Sequence, residues 1–398
     1  MPTAIVAGGG IGGLTAALCL QRIGWDVEVM EQAPEITEIG AGLQISPNGF
    51  KVLDLLDLAA QVRAVAYEPE ILGLRIGNTG RTIFEVPMKD VMVANYGAPY
   101  LQVHRADLIG VLSEAVTARL SNPVRTGTRV TGYVRDGAKL TTMLSTGDGL
   151  DCDLLIGADG IHSAIREQML GPDAPRFTGN VAWRAVVPRS ELTDTEIPPG
   201  AVVWAGSRRH AVTYPLRGGE LINFVGIVEQ DGWQTESWVE KGAPEDLAKD
   251  FDGWAPLIQN LIQHAPETFK WALFDRAPLP RWSDGSVVLL GDACHPMLPS
   301  LAQGACQAIE DAWVLADHLS RGSDPAAALP LYFAARLDRT AKVQATAASN
   351  LQLFHASGIR RTAMFGVLGA MNRFTPSLLL KKFDWVYRHD VTTGQGAG

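Results

Sequence analysis

The sequence predicts an α/β fold with a β-rich, α+β insertion and a helical C-terminus. Three observations predict it. The apolar run Thr3–Ala7 leads into Gly8-Gly9-Gly10-Ile11-Gly12-Gly13 and then a helical stretch. A second apolar run, 287–290, ends in Gly291-Asp292 and also opens a helical stretch. Between them, 72–103 and 178–276 read as short β-type runs broken by turn residues.

The elements follow in chain order. Thr3–Ala7 fits a buried parallel strand. Gly8 allows the tight turn, Gly10 lets backbone approach a pyrophosphate, and Gly13 lets the helix pack closely on the strand. The helix covers 14–23 and ends at Gly24 in the C′ position. Its N-terminus offers N–H groups and a positive dipole end to phosphate. Residues 27–30 form the second strand. Glu31, with Gln32 beside it, follows where a carboxylate would accept both hydroxyls of an adenosine ribose. Strand, turn, helix, strand and acid in register read as a Rossmann-like dinucleotide site.

Residues 49–58 are amphipathic. Two β-type runs, 72–76 and 82–86, flank the hairpin turn Gly77-Asn78-Thr79-Gly80. Helix returns at 107–119, a meander at 130–144 turns at Asp136-Gly137, and 153–157 is a buried strand ending in Ala158-Asp159-Gly160. Residues 202–204, 211–214 and 221–228 are strand-like, 254–266 is helical, and 304–320, 328–357 and 360–382 are helical. A disordered tail is expected over 392–398. The expected organisation is a discontinuous nucleotide-binding domain (1–71, 104–177, 278–358), a substrate domain in two pieces (72–103, 178–277) and a C-terminal segment (359–398).

Composition narrows the function. The chain has 398 residues, enough for two domains, and 46% hydrophobic residues, enough for their cores. A net charge of −9 argues against nucleic acid as a partner. No uninterrupted apolar run approaches the ~20 residues of a transmembrane helix, and the first residues run into a strand rather than a secretory signal. Cys19, Cys152, Cys294 and Cys306 form no CxxC and no metal spacing; Cys294 and His295 are adjacent, with no third ligand in view. The reading is a reduced, cytoplasmic protein with no metal site.

Three motifs together resemble one family. They are Gly8 to Gly13 with Glu31, the run Asp159-Gly160-Ile161-His162-Ser163-Ala164-Ile165-Arg166, and Gly291-Asp292; Asp384-Trp385 extends the likeness to the end of the chain. The chain resembles a group A FAD-dependent aromatic hydroxylase of the p-hydroxybenzoate hydroxylase fold. Ala182-Trp183-Arg184-Ala185 and the spacing His210-x-x-x-Tyr214 are most similar to the salicylate, 3-hydroxybenzoate and 6-hydroxynicotinate monooxygenases.

The resemblance implies roles. Asp292 would bind the ribityl chain of FAD. Gly304 and Ala305, after Gln303, would turn helix N–H groups toward the flavin N1/C2 carbonyl and stabilise the anionic reduced ring. Arg105 would lie near the FAD phosphates, with a structural salt bridge as the other reading. Asp159 would serve both FAD and the reduced nicotinamide cofactor, or simply close a strand-end turn. The Pro299 carbonyl would lie near the flavin. Ser300 departs from relatives that carry histidine there, yet its hydroxyl could hydrogen-bond a substrate. His210 is the candidate base, since neutral histidine suits deprotonation of a phenol near pH 7. Tyr214, four residues on, shares its strand face; a satisfied strand histidine is the bland reading. Trp183-Arg184 is a pocket wall with a carboxylate anchor, a lid clamp, or an interdomain packing pair. His295 fixes its loop. His104, His162, His264, His318, His355 and His389 show no partner and read as structural or exposed. Arg360-Arg361 opens a segment suited to helix packing, a dimer contact or an anionic membrane.

The expected function is hydroxylation of a small phenolic or hydroxypyridine carboxylic acid by a monomer or homodimer. FAD, NADH or NADPH, and O2 would be used, through a flavin C4a-hydroperoxide. The alternatives are a same-fold epoxidase or quinone-pathway hydroxylase with a larger apolar substrate, a non-catalytic nucleotide sensor, and a plain NAD dehydrogenase.

Overall fold

The computed structural model describes residues 1–36, 42–122, 124–137, 139–173, 175–193, 195–230, 240–322, 324–374 and 377–393. Two sheets organise the chain. The first has five strands in the order Ser283–Asp284, Val287–Leu289, Leu154–Gly157, Thr3–Ala7, Asp26–Met30. Three of its four pairings run parallel; the fourth, the edge hairpin of Ser283–Asp284 with Val287–Leu289, is antiparallel. The register Val6↔Ile156 and Leu155↔Val287 joins three distant segments. The central strands are almost wholly apolar because they are buried on both faces, where alternation would leave polar groups without water. Ile11–Arg22 and Gly304–Ser320 pack against one another on this sheet. Gly24 follows the first helix with φ +87°, the left-handed C′ position that the sequence indicated.

The second sheet has seven strands: Phe269–Asp275, Arg176–Pro188, Leu221–Glu229, Arg209–Leu216, Gly200–Gly206, Ile71–Ile76, Thr82–Pro87. The hairpin at 71–87 joins it through a parallel pairing with Gly200–Gly206. Period-two alternation divides this sheet's chemistry. One face holds Trp183, Trp204, Ala211, Phe224 and Val228 against Pro244–Asp250 and Pro256–Gln263. The other face presents Arg184, His210, Val212, Tyr214, Val225 and Ile227 to a cavity.

Five local expectations need correction. Lys89–Tyr96 is a helix inside the stretch read as β-type. Leu101–His104 pairs with Gly42–Ile45 and Ala66–Tyr67, not with the large sheet, so the boundary expected at 103/104 falls within a strand. The helix expected over 328–357 spans Pro325–Phe354; the Asp324 carboxylate caps it by accepting from the Ala326 N–H at 2.9 Å. The helix expected over 360–382 is two, Gly358–Phe374 and Ser377–Lys381. Of the tail expected to be disordered, Val391–Thr393 forms a turn, with Thr392 bonded to the Asp390 carboxylate; 394–398 lie outside the described residues. Among the described residues, no helix is long and apolar enough to cross a membrane.

Candidate active site: one cavity shared by two sheets

A cavity of about 1140 Å³ runs from the parallel sheet to the seven-stranded sheet. Ligand pockets typically measure about 300–1,000 Å³, so this one has room for more than a single small molecule.

The first end is built from backbone. Gly8 has φ +112°, and a Cβ there would sit 2.3 Å from the Ala158 carbonyl oxygen. A Cβ on Gly13 would sit 2.0 Å from the Gly8 carbonyl oxygen. Both glycines therefore serve chain-to-chain packing, and Gly13 does not line the cavity. Gly10 differs: a Cβ there meets nothing within 4 Å. It caps Ile11–Arg22 with no side-chain bond, leaving the first-turn N–H groups open toward the cavity. The Glu31 carboxylate, also on the wall, accepts from the N–H of Gly9 and of Ala33 at 2.7 Å each. It thereby holds the turn that shapes the cradle. Gln32 lines the same end.

The opposite wall of this end holds Asp292, Arg105, Asp159, Gly304 and Ala305. Asp292 is open to the cavity but lies deep in the protein body. Burial raises its pKa, with the Arg105 guanidinium pulling the other way. Burial likewise raises Asp159, which accepts from the Ile165 N–H at 3.3 Å. Gln303 caps the helix Gly304–Ser320. Its amide is tied to Ser46 Oγ (2.9 Å) and Asn48 Nδ2 (3.0 Å), so a second helix N-terminus is fixed at the cavity. The loop between Asp292 and that helix is held from outside. His295 Nε2 meets Asp311 at 2.5 Å, and Gln344 donates to the Pro296 carbonyl at 2.9 Å. Asp311 is the third group near Cys294 and His295 that the sequence did not reveal. Its other oxygen takes Arg336 Nε at 2.7 Å, so a fixed guanidinium already neutralises it.

The second end is built from side chains. Leu72, Leu74, Val203, Leu298, Leu353 and Phe354 make it apolar. His210 is fully buried and among the residues that line the cavity, and its Nε2 has no hydrogen-bond partner among the described residues. Its Nδ1 lies 2.8 Å from Nε2 of His355. Burial, reinforced by His355, drives the His210 pKa well below the ordinary histidine value. The Tyr214 phenol is buried and its pKa raised. Its ring fits because residue 42 is glycine, where a Cβ would come within 2.4 Å of it. Arg184 is 4% exposed, and its guanidinium packs over the rings of Phe269 and Trp271. Burial, with Arg105 nearby, lowers its pKa to about 10. Trp183 points the other way and donates to Asp250 at 2.8 Å. The Trp183-Arg184 pair is thus split between the two sheet faces.

A model described as the FAD binding domain matches residues 1–347. The chain belongs to this FAD-binding flavoprotein family. It is 37% identical over 390 residues to 3-hydroxybenzoate 6-hydroxylase of Polaromonas naphthalenivorans (strain CJ2), covering 97% of this chain and 96% of that protein. It is 37% identical over 358 residues to 6-hydroxynicotinate 3-monooxygenase of Pseudomonas fluorescens, covering 88% and 92%. Among solved structures, Klebsiella pneumoniae HpxO complexed with FAD and uric acid superposes with a TM-score of 0.83 at 30% identity, covering 93% of each chain. The protein is a flavoprotein monooxygenase.

The flavoprotein's own geometry fits FAD. Gly10 leaves open space where a pyrophosphate would approach, two helix N-termini face the cavity, and the acidic residues Asp292 and Glu31 line the same cavity. The structure brings Gly8, Gly10, Glu31, Gln32, Arg105, Asp159, Asp292, Gly304, Ala305, His210, Tyr214, Pro299 and Ser300 to one cavity. Ser300 is committed elsewhere: its hydroxyl donates to the Ala347 carbonyl at 2.5 Å. Its carbonyl accepts from Asn350 at 3.3 Å. The sequence reading missed His355, which it left without a partner. No local pattern marks it; the partner lies 145 residues away, and only the fold brings the two together.

Proposed function

We propose that this flavoprotein monooxygenase hydroxylates a small phenolic or hydroxypyridine carboxylic acid, with NADH or NADPH as reductant and O2 as oxidant. The observation that carries this reading is the unpartnered Nε2 of His210. His210 lines the apolar end of the same cavity whose other end fits a dinucleotide. Bound FAD would take hydride from the nicotinamide and deliver an oxygen atom to the ring.

The chain's residues supply the rest. Burial keeps His210 neutral near pH 7, so Nε2 can take the proton of a ring hydroxyl. The resulting phenolate is the electron-rich form that accepts an electrophilic oxygen. Tyr214, on the same strand face, can donate to that oxygen. Arg184 is a buried cation on the same sheet face, and its Nε and Nη2 have no partner among the described residues. Those donors suit a carboxylate or a cofactor oxygen. The loop of Pro299 and Ser300, tied to 347–350, forms a fixed wall, and the leucine and phenylalanine lining keeps water from the reacting ring. All four cysteines are buried thiols, which suits a cytoplasmic setting.

The test is oxidation of NADH and of NADPH by the FAD-loaded protein against a panel of hydroxybenzoates and hydroxypyridine carboxylates, with product masses read in parallel. A compound that accelerates oxidation and gains one oxygen atom supports the reading. Acceleration with peroxide as the only product for every compound would sink it.

A further inference from the structure

We propose that His355 and Glu229 form a proton wire that carries the substrate's phenolic proton from His210 to solvent. The inference rests on His210 being the base, as read above.

The geometry defines the wire. His210 Nδ1 lies 2.8 Å from His355 Nε2, and His355 Nδ1 lies 3.0 Å from Glu229 Oε1. The chain crosses from the interior to the surface: His210 is fully buried, His355 nearly so, and the Glu229 side chain is 34% exposed. Glu229 Oε2 accepts from Arg208 Nε at 2.9 Å, and Arg208 is 66% exposed. The hairpin that carries His210 also fixes the far member, since the Arg208 N–H donates to the His355 carbonyl at 3.2 Å.

The carboxylate settles both tautomers. Glu229 is held ionised by Arg208 and His355 against the opposing pull of burial. A carboxylate only accepts, so His355 must carry its hydrogen on Nδ1. His355 Nε2 is then a lone pair, and His210 must donate to it from Nδ1. The His210 Nε2 lone pair is left without a partner, as a base requires. A surface glutamate thus sets the protonation of a buried nitrogen two residues away in the chain of bonds.

The transfer balances without redox change. The phenol O–H breaks and Nε2–H forms on His210. The Nδ1 proton of His210 passes to Nε2 of His355, and the Nδ1 proton of His355 passes to Glu229, which releases it to water. The sum is a phenolate in the cavity and a proton in solvent, with both imidazoles neutral in the opposite tautomers. No buried imidazolium remains, which is why the route suits a site where burial disfavours that cation. The reverse sequence returns a proton to the product and resets the wire. The groups facing it are Phe354 against His210, Glu229 against His355, and Arg208 against Glu229. His355 and Glu229 are positioning residues that act through His210.

The experiment mixes FAD-loaded enzyme with 4-hydroxy-3-nitrobenzoate at a pH where the free probe is mostly the phenol. The rise of nitrophenolate absorbance is followed by stopped flow. In wild type the bound probe ionises rapidly. His355→Gln keeps hydrogen-bonding groups at that position but cannot relay a proton. It should slow phenolate formation by about 10-fold or more, with probe affinity and FAD content unchanged. Added imidazole should restore much of the rate in His355→Ala, which a merely structural lesion would not allow. Glu229→Gln, outside the cavity, should slow ionisation in the same direction. Wild-type rates in both His355→Gln and Glu229→Gln, with His210→Asn slow, would overturn the wire and leave the base assignment standing. Equal ionisation in wild type and His210→Asn would overturn the base assignment and the wire with it.

Discussion

The two ends of the cavity are made by different physical means. The dinucleotide end is made by what is absent: Gly10 has no Cβ, and the helix it opens has no side-chain cap. Its glycine cradle depends on backbone, so one short run of sequence marks it. The aromatic end is made by side chains from the seven-stranded sheet, the loop at 298–301 and the end of the helix Pro325–Phe354. No single segment determines it, and each contributor can vary while the fold stays. A family built this way can keep one cofactor and exchange its substrates.

The contrast breaks first at the glycines. Gly8→Ala adds a Cβ 2.3 Å from a carbonyl oxygen at φ +112°, a clash in a conformation that alanine rarely adopts. A loss of about 3 kcal/mol or more is expected, seen as a lower Tm or insoluble protein. Gly10→Ala, two residues on, meets no protein atom. Its apoprotein should melt as wild type does, while FAD retention falls. Equal destabilisation by both would mean that Gly10 is another packing glycine and not the approach point for a ligand.

The aromatic end gives the converse. His210→Ala should keep its FAD, while product formation drops on the order of 100-fold and peroxide release per nicotinamide oxidised rises. Unchanged coupling would remove His210 from the chemistry. Asp292→Ala tests the other end more gently. Loss of a cavity-facing carboxylate should weaken FAD retention by about 10-fold or more, from hydrogen bonds worth about 1.5–3 kcal/mol. A variant that purifies fully loaded with FAD, and loses it on dilution no faster than wild type, would contradict the role.

Legibility follows the same division. The cradle was readable because the glycines at 8, 10 and 13 stand in one short run, although the close approach at Gly8 is to the distant Ala158, and the matching strand ends were marked by Asp159-Gly160 and Gly291-Asp292. The face of His210 and Tyr214 was readable because a strand repeats every two residues. The two registers that unite 3–7, 154–157 and 287–289 were not readable, because no pattern within the segments says which strand lies beside which. His355 was not readable at all. It sits at the C-terminal cap of a helix, and its meaning depends on Glu229 and His210, which arrive from neighbouring strands of the seven-stranded sheet. The helix Lys89–Tyr96 was missed because Val91, Val93 and Tyr96 favour strand, while Met92 and Tyr96 are drawn inward by a cluster with Tyr100, Leu379 and Val386.

Ser300 offers the smallest and most discriminating test of the boundary between the ends. The sequence suggested a hydroxyl for the substrate, whereas the structure gives its proton to the Ala347 carbonyl and its own carbonyl to Asn350. If its work is to hold the wall, Ser300→Ala should cost about 1 kcal/mol of stability, the value of one internal hydrogen bond. The loosened loop would then raise peroxide release slightly and leave substrate affinity almost unaltered. If it instead contacts the substrate, KM should rise clearly while Tm stays put. The two outcomes move different observables, so a melting curve and a saturation curve on one variant decide whether this loop belongs to the scaffold or to recognition.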